Sequence, residues 1–95
     1  MISVVLATHN EAHNIDKCLN SVKNFADEII VVDGNSTDET RNLAKKFGAR
    51  VIKTTNKKNF HINKQLAMDK AQGQLVLQID ADEAVDEELA DFIKK

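Results

Sequence analysis

The chain has no proline, no tryptophan and no tyrosine, and only three glycines and one cysteine among 95 residues. Each scarcity removes a class of explanation. A lone cysteine, Cys18, forms no internal disulfide and fits a reducing compartment. With phenylalanine as the only aromatic residue, few rings are on hand to stack on bases or sugars. A base would have to be read by polar side chains and backbone. The glycines form neither a Gly-x-Gly-x-x-Gly nor a Gly-x-x-x-x-Gly-Lys-Ser/Thr loop, so those phosphate cradles are excluded. No apolar run approaches the ~20 residues of a membrane helix. The run after Met1 has no basic flank and reads as a buried strand, not a signal peptide. A net charge of -2 gives no basic excess for nucleic acid and no single-sign block.

What is present is an alternation of short apolar runs and amphipathic segments. Ile2–Ala7 suits a strand covered on both faces. Asn10 opens a helix whose stripe is Ile15, Cys18, Leu19 and Val22. Glu28–Asp33 is a second, β-branched strand. Gly34-Asn35 marks a turn, and Ser36-Thr37-Asp38-Glu39 has the Ser-x-x-Glu form of a capping box. The helix it would open carries Leu43, Ala44 and Phe47 and stops at Gly48. Ala49–Lys53 is a third strand, Thr54–Asn59 a polar loop, and Phe60–Ala71 a weaker helix with Ile62, Leu66 and Ala67 as its stripe and Gly73 as its stop. Leu75–Ile79 is a fourth strand. Asp86 caps a last helix with Leu89, Ala90, Phe92 and Ile93 on its face. Strands alternating with helices imply an α/β fold with a parallel sheet and right-handed crossovers.

Ligands of open α/β sheets bind beyond the carboxyl ends of the strands. Thr8-His9-Asn10-Glu11 follows the first strand, Asp33-Gly34-Asn35-Ser36 the second, and Asp80-Ala81-Asp82-Glu83 the fourth. Asp33 taken alone also reads as a turn former. Asp80 and Asp82 concentrate negative charge, which is costly unless a cation joins them. Two readings stay open on spacing: a hard-cation site for Mg²⁺ or Mn²⁺ completed by water and phosphate oxygens, or a solvated acidic turn. His13 and His61 have no partner at metal-ligand spacing. His9 lies at the rim of these strand ends. Cys18 lies on an apolar stripe and reads as a core residue.

These segments, in this order, resemble family-two glycosyltransferases. Ile2 to Glu11 with Asn14-Ile15 and Cys18-Leu19 is similar to that family's first strand and helix. Ala26 to Thr40 is similar to its second strand and turn, and Leu77 to Glu83 to its Asp-x-Asp strand end. The Asp-Ala-Asp-Glu form is similar to the lipopolysaccharide-core branch. The resemblance covers nearly the whole chain. It implies the N-terminal half of a GT-A (Rossmann-like) fold, three-layered α/β/α, with a mostly parallel sheet ordered 3-2-1-4 and a crevice between Thr8 and Asp80. It implies that Thr8, Glu11 and Asp33 hold the base and ribose of a UDP- or GDP-sugar. Asp80 would face the ribose or a metal-bound water, Asp82 would ligate a divalent Mg or Mn ion, and Glu83 would support the metal shell. Where relatives carry Arg-Asn, this chain has Lys64-Gln65. Lys64 is thus a candidate phosphate contact through a point charge, beside its reading as a solvated helix lysine.

The implied reaction is inverting transfer of a sugar to a hydroxyl of a glycan or lipid-linked acceptor. The general base is expected beyond Lys95, and residues 1–95 are expected to be the nucleotide-sugar-binding part of a domain truncated at its C-terminus. Location is expected in the cytoplasm, with peripheral attachment to the inner membrane face open for a full-length protein. A rival reading is a nucleotide-binding or interaction module without catalysis. A receiver-like phosphate-signalling domain ranks last, because Thr8-His9-Asn10 and Lys53-Thr54 supply neither its acidic pair nor its phosphoacceptor.

Overall fold

The computed structural model describes residues 1–55 and 60–85. The elements run β1 (Ile2–Thr8), α1 (Ala12–Val22), β2 (Glu28–Asp33), α2 (Thr40–Lys46), β3 (Arg50–Lys53), α3 (Phe60–Lys70) and β4 (Leu75–Gln78). The last helix expected from Asp86 lies outside the described residues, as does most of the expected loop Thr54–Asn59. The strands form one sheet in the order β3-β2-β1-β4, every pairing parallel. The expected order is therefore observed, and it reverses between β1 and β4.

The unbroken apolar runs of β1 and β2 follow from burial on both faces. Val4, Leu6, Ile29 and Val31 pack on one side with the α1 stripe of Ile15, Cys18, Leu19 and Val22, joined by Ala44 of α2. Val5, Ile30 and Val32 pack on the other side with Ala67 of α3. The result is three layers, with α1 and α2 covering one face and α3 the other.

Three local expectations are corrected. First, α2 begins at Thr40, not after a Ser36 cap, and its N-cap Glu39 makes no side-chain cap bond. The Ser36 hydroxyl is used elsewhere: it donates to Asp33 Oδ1 at 2.6 Å. Second, α1 begins at Ala12, because Asn10 sits at φ 53, in the left-handed region that breaks a helix and that asparagine tolerates better than most residues. Third, Ile62 is not on the buried stripe of α3. It is 48% exposed, and Asn63 points inward at 1%. Asn63 Oδ1 accepts from the Thr54 hydroxyl at 3.1 Å just beyond β3, which lets a polar side chain occupy the inner face.

Helix α3 ends at Lys70, short of Gly73, which is required by a close approach and not by the helix stop. A Cβ built on it would lie 2.6 Å from Ser3 Oγ, 2.8 Å from the Met1 carbonyl and 2.9 Å from Ser3 N. Its N–H donates to Ser3 Oγ at 2.8 Å, and that hydroxyl donates to Glu28 Oε1, also at 2.8 Å. The start of β1, the start of β2 and the approach to β4 are thus pinned together. Gly73→Ala must move backbone, and such overpacking costs about 1–3 kcal/mol. The expected outcome is a lower urea midpoint at unchanged m-value. An unchanged midpoint would contradict this close approach.

Candidate active site at the β1/β4 crevice

Thr8 and Asp33 end neighbouring strands in register. Both are fully buried, at 0% exposure. A carboxylate without water must find its donors inside the protein, and Asp33 finds four. Oδ1 accepts from Thr8 Oγ1 at 2.7 Å and Ser36 Oγ at 2.6 Å, and Oδ2 accepts from Ser36 N at 2.8 Å and Arg41 Nη1 at 3.1 Å.

Around this buried hub the two strand-end loops are laced together. Asn10 N donates to Ser36 Oγ at 2.8 Å, and Thr37 N donates to Asn10 Oδ1 at 2.8 Å. Glu11 N donates to Thr40 Oγ1 at 2.9 Å and Ala12 N to Asp38 Oδ2 at 3.2 Å. Side chains at the start of α2 therefore satisfy N–H groups at the start of α1 that no helical turn can satisfy. His9 Nδ1 lies 2.8 Å from the Gly34 carbonyl. A carbonyl only accepts, so that nitrogen carries the proton. Burial pushes the Asp38 carboxyl up, but hydrogen bonds from the hydroxyl and N–H of Thr40 and from Ala12 N–H outweigh it and hold it below its ordinary value.

The acidic turn is built separately. Alternation leaves Ile79 and Ala81 buried and Asp80 and Asp82 exposed. Asp80 N donates to Glu83 Oε1 at 2.8 Å and Glu83 N to the Asp80 carbonyl at 2.9 Å, closing the turn. Helix α1 anchors it from below: Cys18 Sγ donates to the Asp80 carbonyl at 3.7 Å, and Val85 N donates to Ser21 Oγ at 2.9 Å. Across the crevice, α3 contributes Lys64, whose Nζ lies 3.1 Å from Asp80 Oδ1.

Ala7, Glu11, Lys64, Asp80, Ala81 and Asp82 line a cleft of about 240 Å³. That is below the ~300–1,000 Å³ of a whole small-molecule site, and its lining suits the charged end of a ligand. Three of the lining side chains are carboxylates and one is a cation. Among the described residues, no group of three or more His, Cys, Asp or Glu converges on one point. The donor set still fits a hard divalent ion, which takes one or two carboxylates and fills its shell with water and phosphate oxygens.

The glycosyl transferase family 2 model matches residues 3–95. This chain belongs to that family. An uncharacterized glycosyltransferase of Rickettsia bellii is 42% identical over 93 residues, covering 98% of this chain and 31% of the relative. S. aureus TarS 1-349, solved in complex with UDP, superposes with a TM-score of 0.83 at 28% identity, over 96% of this chain and 30% of that one. Glucosyl-3-phosphoglycerate synthase from Mycobacterium tuberculosis, solved with Mn²⁺, UDP and glucosyl-3-phosphoglycerate, superposes with a TM-score of 0.66 at 32% identity, over 85% of this chain and 33% of that one. The chain thus spans about a third of the length of these relatives. The sheet order and these neighbours identify the fold as GT-A.

Set against the residues expected of the family, the structure gathers Glu11, Lys64, Asp80 and Asp82 around one cleft. It sets Thr8 and Asp33 behind it, with no surface for direct contact. Glu83 spends Oε1 on the turn itself. Arg41, Thr40 and Ser21 were not singled out from sequence, and Ser36 was read there as a helix cap. Arg41 and Ser21 carry no local signal there, since their roles come from contacts far along the chain or across a turn.

Cys18 is a core residue, as expected. Burial pushes its thiol up to about 12, with the charges of Glu83, Asp82, Asp80 and Glu11 adding to the effect. The folded state therefore holds the thiol proton more tightly than the unfolded chain, whose thiol titrates near 9.0. The associated stability is complete below pH 9 and is lost as pH rises toward 12. At pH 8 iodoacetamide is expected to leave Cys18 unmodified in the folded protein and to label it in urea, read by mass spectrometry. Rapid labelling without urea would contradict this burial.

Proposed function

We propose that residues 1–95 form the nucleotide-sugar-binding part of a glycosyltransferase that moves a sugar from a UDP- or GDP-sugar to an acceptor hydroxyl with help from a divalent metal ion. The observation that carries this reading is the acidic cleft at the point where the sheet order reverses, lined by the carboxylates that the family resemblance selects. The UDP in one structural neighbour and the Mn²⁺ with UDP in another support it.

In this reading Asp82, with Asp80 beside it, holds the Mg²⁺ or Mn²⁺ ion, and Glu11 flanks the ribose side of the cleft. The bound ion would neutralise the diphosphate leaving group as the glycosidic bond breaks. Lys64 meets a phosphate oxygen as a point charge. Thr8 and Asp33 act beneath the ligand: they fix the 9–11 and 34–37 loops whose backbone faces the base. A direct side-chain contact, which the resemblance implies, would require Asp33 to release one of its four donors. The general base must reach the acceptor hydroxyl by a hydrogen bond. No described residue is assigned that role, and it is placed in the part of the relatives' length that this chain does not span. The acceptor is a glycan or lipid-linked hydroxyl. Among the described residues no helix is long and apolar enough to cross a membrane.

The test is a titration with UDP and with GDP, each with and without Mg²⁺, followed by amide shifts. Metal-dependent shifts at Glu11, Asp80 and Asp82 are expected for one of the two nucleotides, and Asp82→Asn is expected to weaken that binding at least tenfold. Nucleotide shifts that ignore both metal and Asp82→Asn would contradict the assigned roles.

A further inference from the structure

We propose that Lys64 is a resident counter-cation of the acidic cleft: its ammonium group occupies the cation position beside Asp80 when no metal ion is bound, and it transfers to the ligand's phosphates when one is. This rests on the reading of Asp80 and Asp82 as the metal-holding pair.

Among the described residues lining the cleft, Glu11, Asp80 and Asp82 face a single cation, Lys64. Clustered carboxylates repel one another unless a positive charge joins them. The ammonium group stands 3.1 Å from Asp80 Oδ1, where such a charge is needed. The pair is also built to be exchanged. Its side chains are 31% and 51% exposed, and a solvent-screened pair of this kind is worth only ~0–1 kcal/mol. Lysine has a flexible stem and no guanidinium fork to lock it on a carboxylate. Its departure leaves the acidic turn intact, because Asp80 is held through its backbone by Glu83 and Cys18. Lys64 and the metal ion thus compete for Asp80, while Lys64 and the metal ion cooperate on a diphosphate. One substitution should therefore shift two affinities in opposite directions, which a merely structural lysine would not do.

The experiment measures Mn²⁺ binding alone by calorimetry, UDP and GDP binding at saturating Mn²⁺, and the Lys64 side-chain Cε and Nζ signals during a Mg²⁺ titration without nucleotide. Lys64→Gln is expected to bind Mn²⁺ alone about two- to fivefold more tightly and the nucleotide with Mn²⁺ less tightly. Lys64→Arg, which can fork onto Asp80, is expected to bind Mn²⁺ less tightly than Lys64→Gln. The Lys64 signals are expected to shift in step with the Asp82 amide, while those of Lys70 on the same helix stay still. If the Asp82 amide responds to Mg²⁺ but Lys64→Gln leaves the Mn²⁺ affinity unchanged, or the Lys64 signals do not move, the counter-cation role is overturned and the donor-site reading stands. If neither protein shows a metal response with or without nucleotide, both fall.

Discussion

The Asp33 carboxylate has no exposed surface, yet it sits at the end of β2, on the carboxyl edge of the sheet. Burying a charge there costs several kcal/mol unless every lone pair is met. The structure meets the cost by bringing donors from three places: Thr8 at the end of β1, Ser36 in the following turn, and Arg41 from the first turn of α2. Because Ser36 Oγ also accepts from Asn10 N, the order imposed on one loop passes to the other. The position of Glu11 at the cleft and the start of α1 follow from that. The fold and the site are therefore joined through one desolvated group.

The second half of the site is supported differently. The acidic turn at 80–83 has exposed side chains but a fixed backbone, closed on itself by Glu83 and fastened to α1 through Cys18 and Ser21. Helix α1 thus carries both margins of the cleft: its N-terminus follows Glu11, and its middle supports Asp80. This division suits the proposed exchange of cations and phosphates at the cleft surface over a fixed frame. The tight, dry contacts lie under the backbone and the weak, screened ones lie in the cleft.

Much of this was legible in the sequence, for physical reasons that also explain the failures. β1 and β2 stood out because burial on both faces demands continuous apolar residues. The α1 stripe stood out because a helix covering one face shows its period. Asp80 and Asp82 were visible because two carboxylates after a buried strand need a reason. Ser36 was misread because Ser-x-x-Glu is the same local pattern whether the hydroxyl caps a helix or feeds a buried carboxylate. The demand of Asp33, three residues back, decided between them. Arg41 gave no signal, since an arginine in the first turn of a helix looks like a solvated side chain until the fold sets it against Asp33. On α3, Asn63 took the inner face and Ile62 an exposed one, a placement that needs a polar partner for the buried amide, and the Thr54 hydroxyl beyond β3 gives its oxygen one.

The most direct measurement is the effect of Asp33→Asn on stability and on the opposite loop, by urea unfolding together with amide shifts. The amide keeps the shape but removes the charge and turns an acceptor into a donor facing donors. Breaking a buried pair in this way costs about 3–5 kcal/mol. The account predicts a loss of that order, with shifts at Asn10, Glu11 and Thr40 although none of them touches Asp33 directly. A loss below ~1 kcal/mol with those three amides unmoved would show that the loops are ordered by something other than this carboxylate.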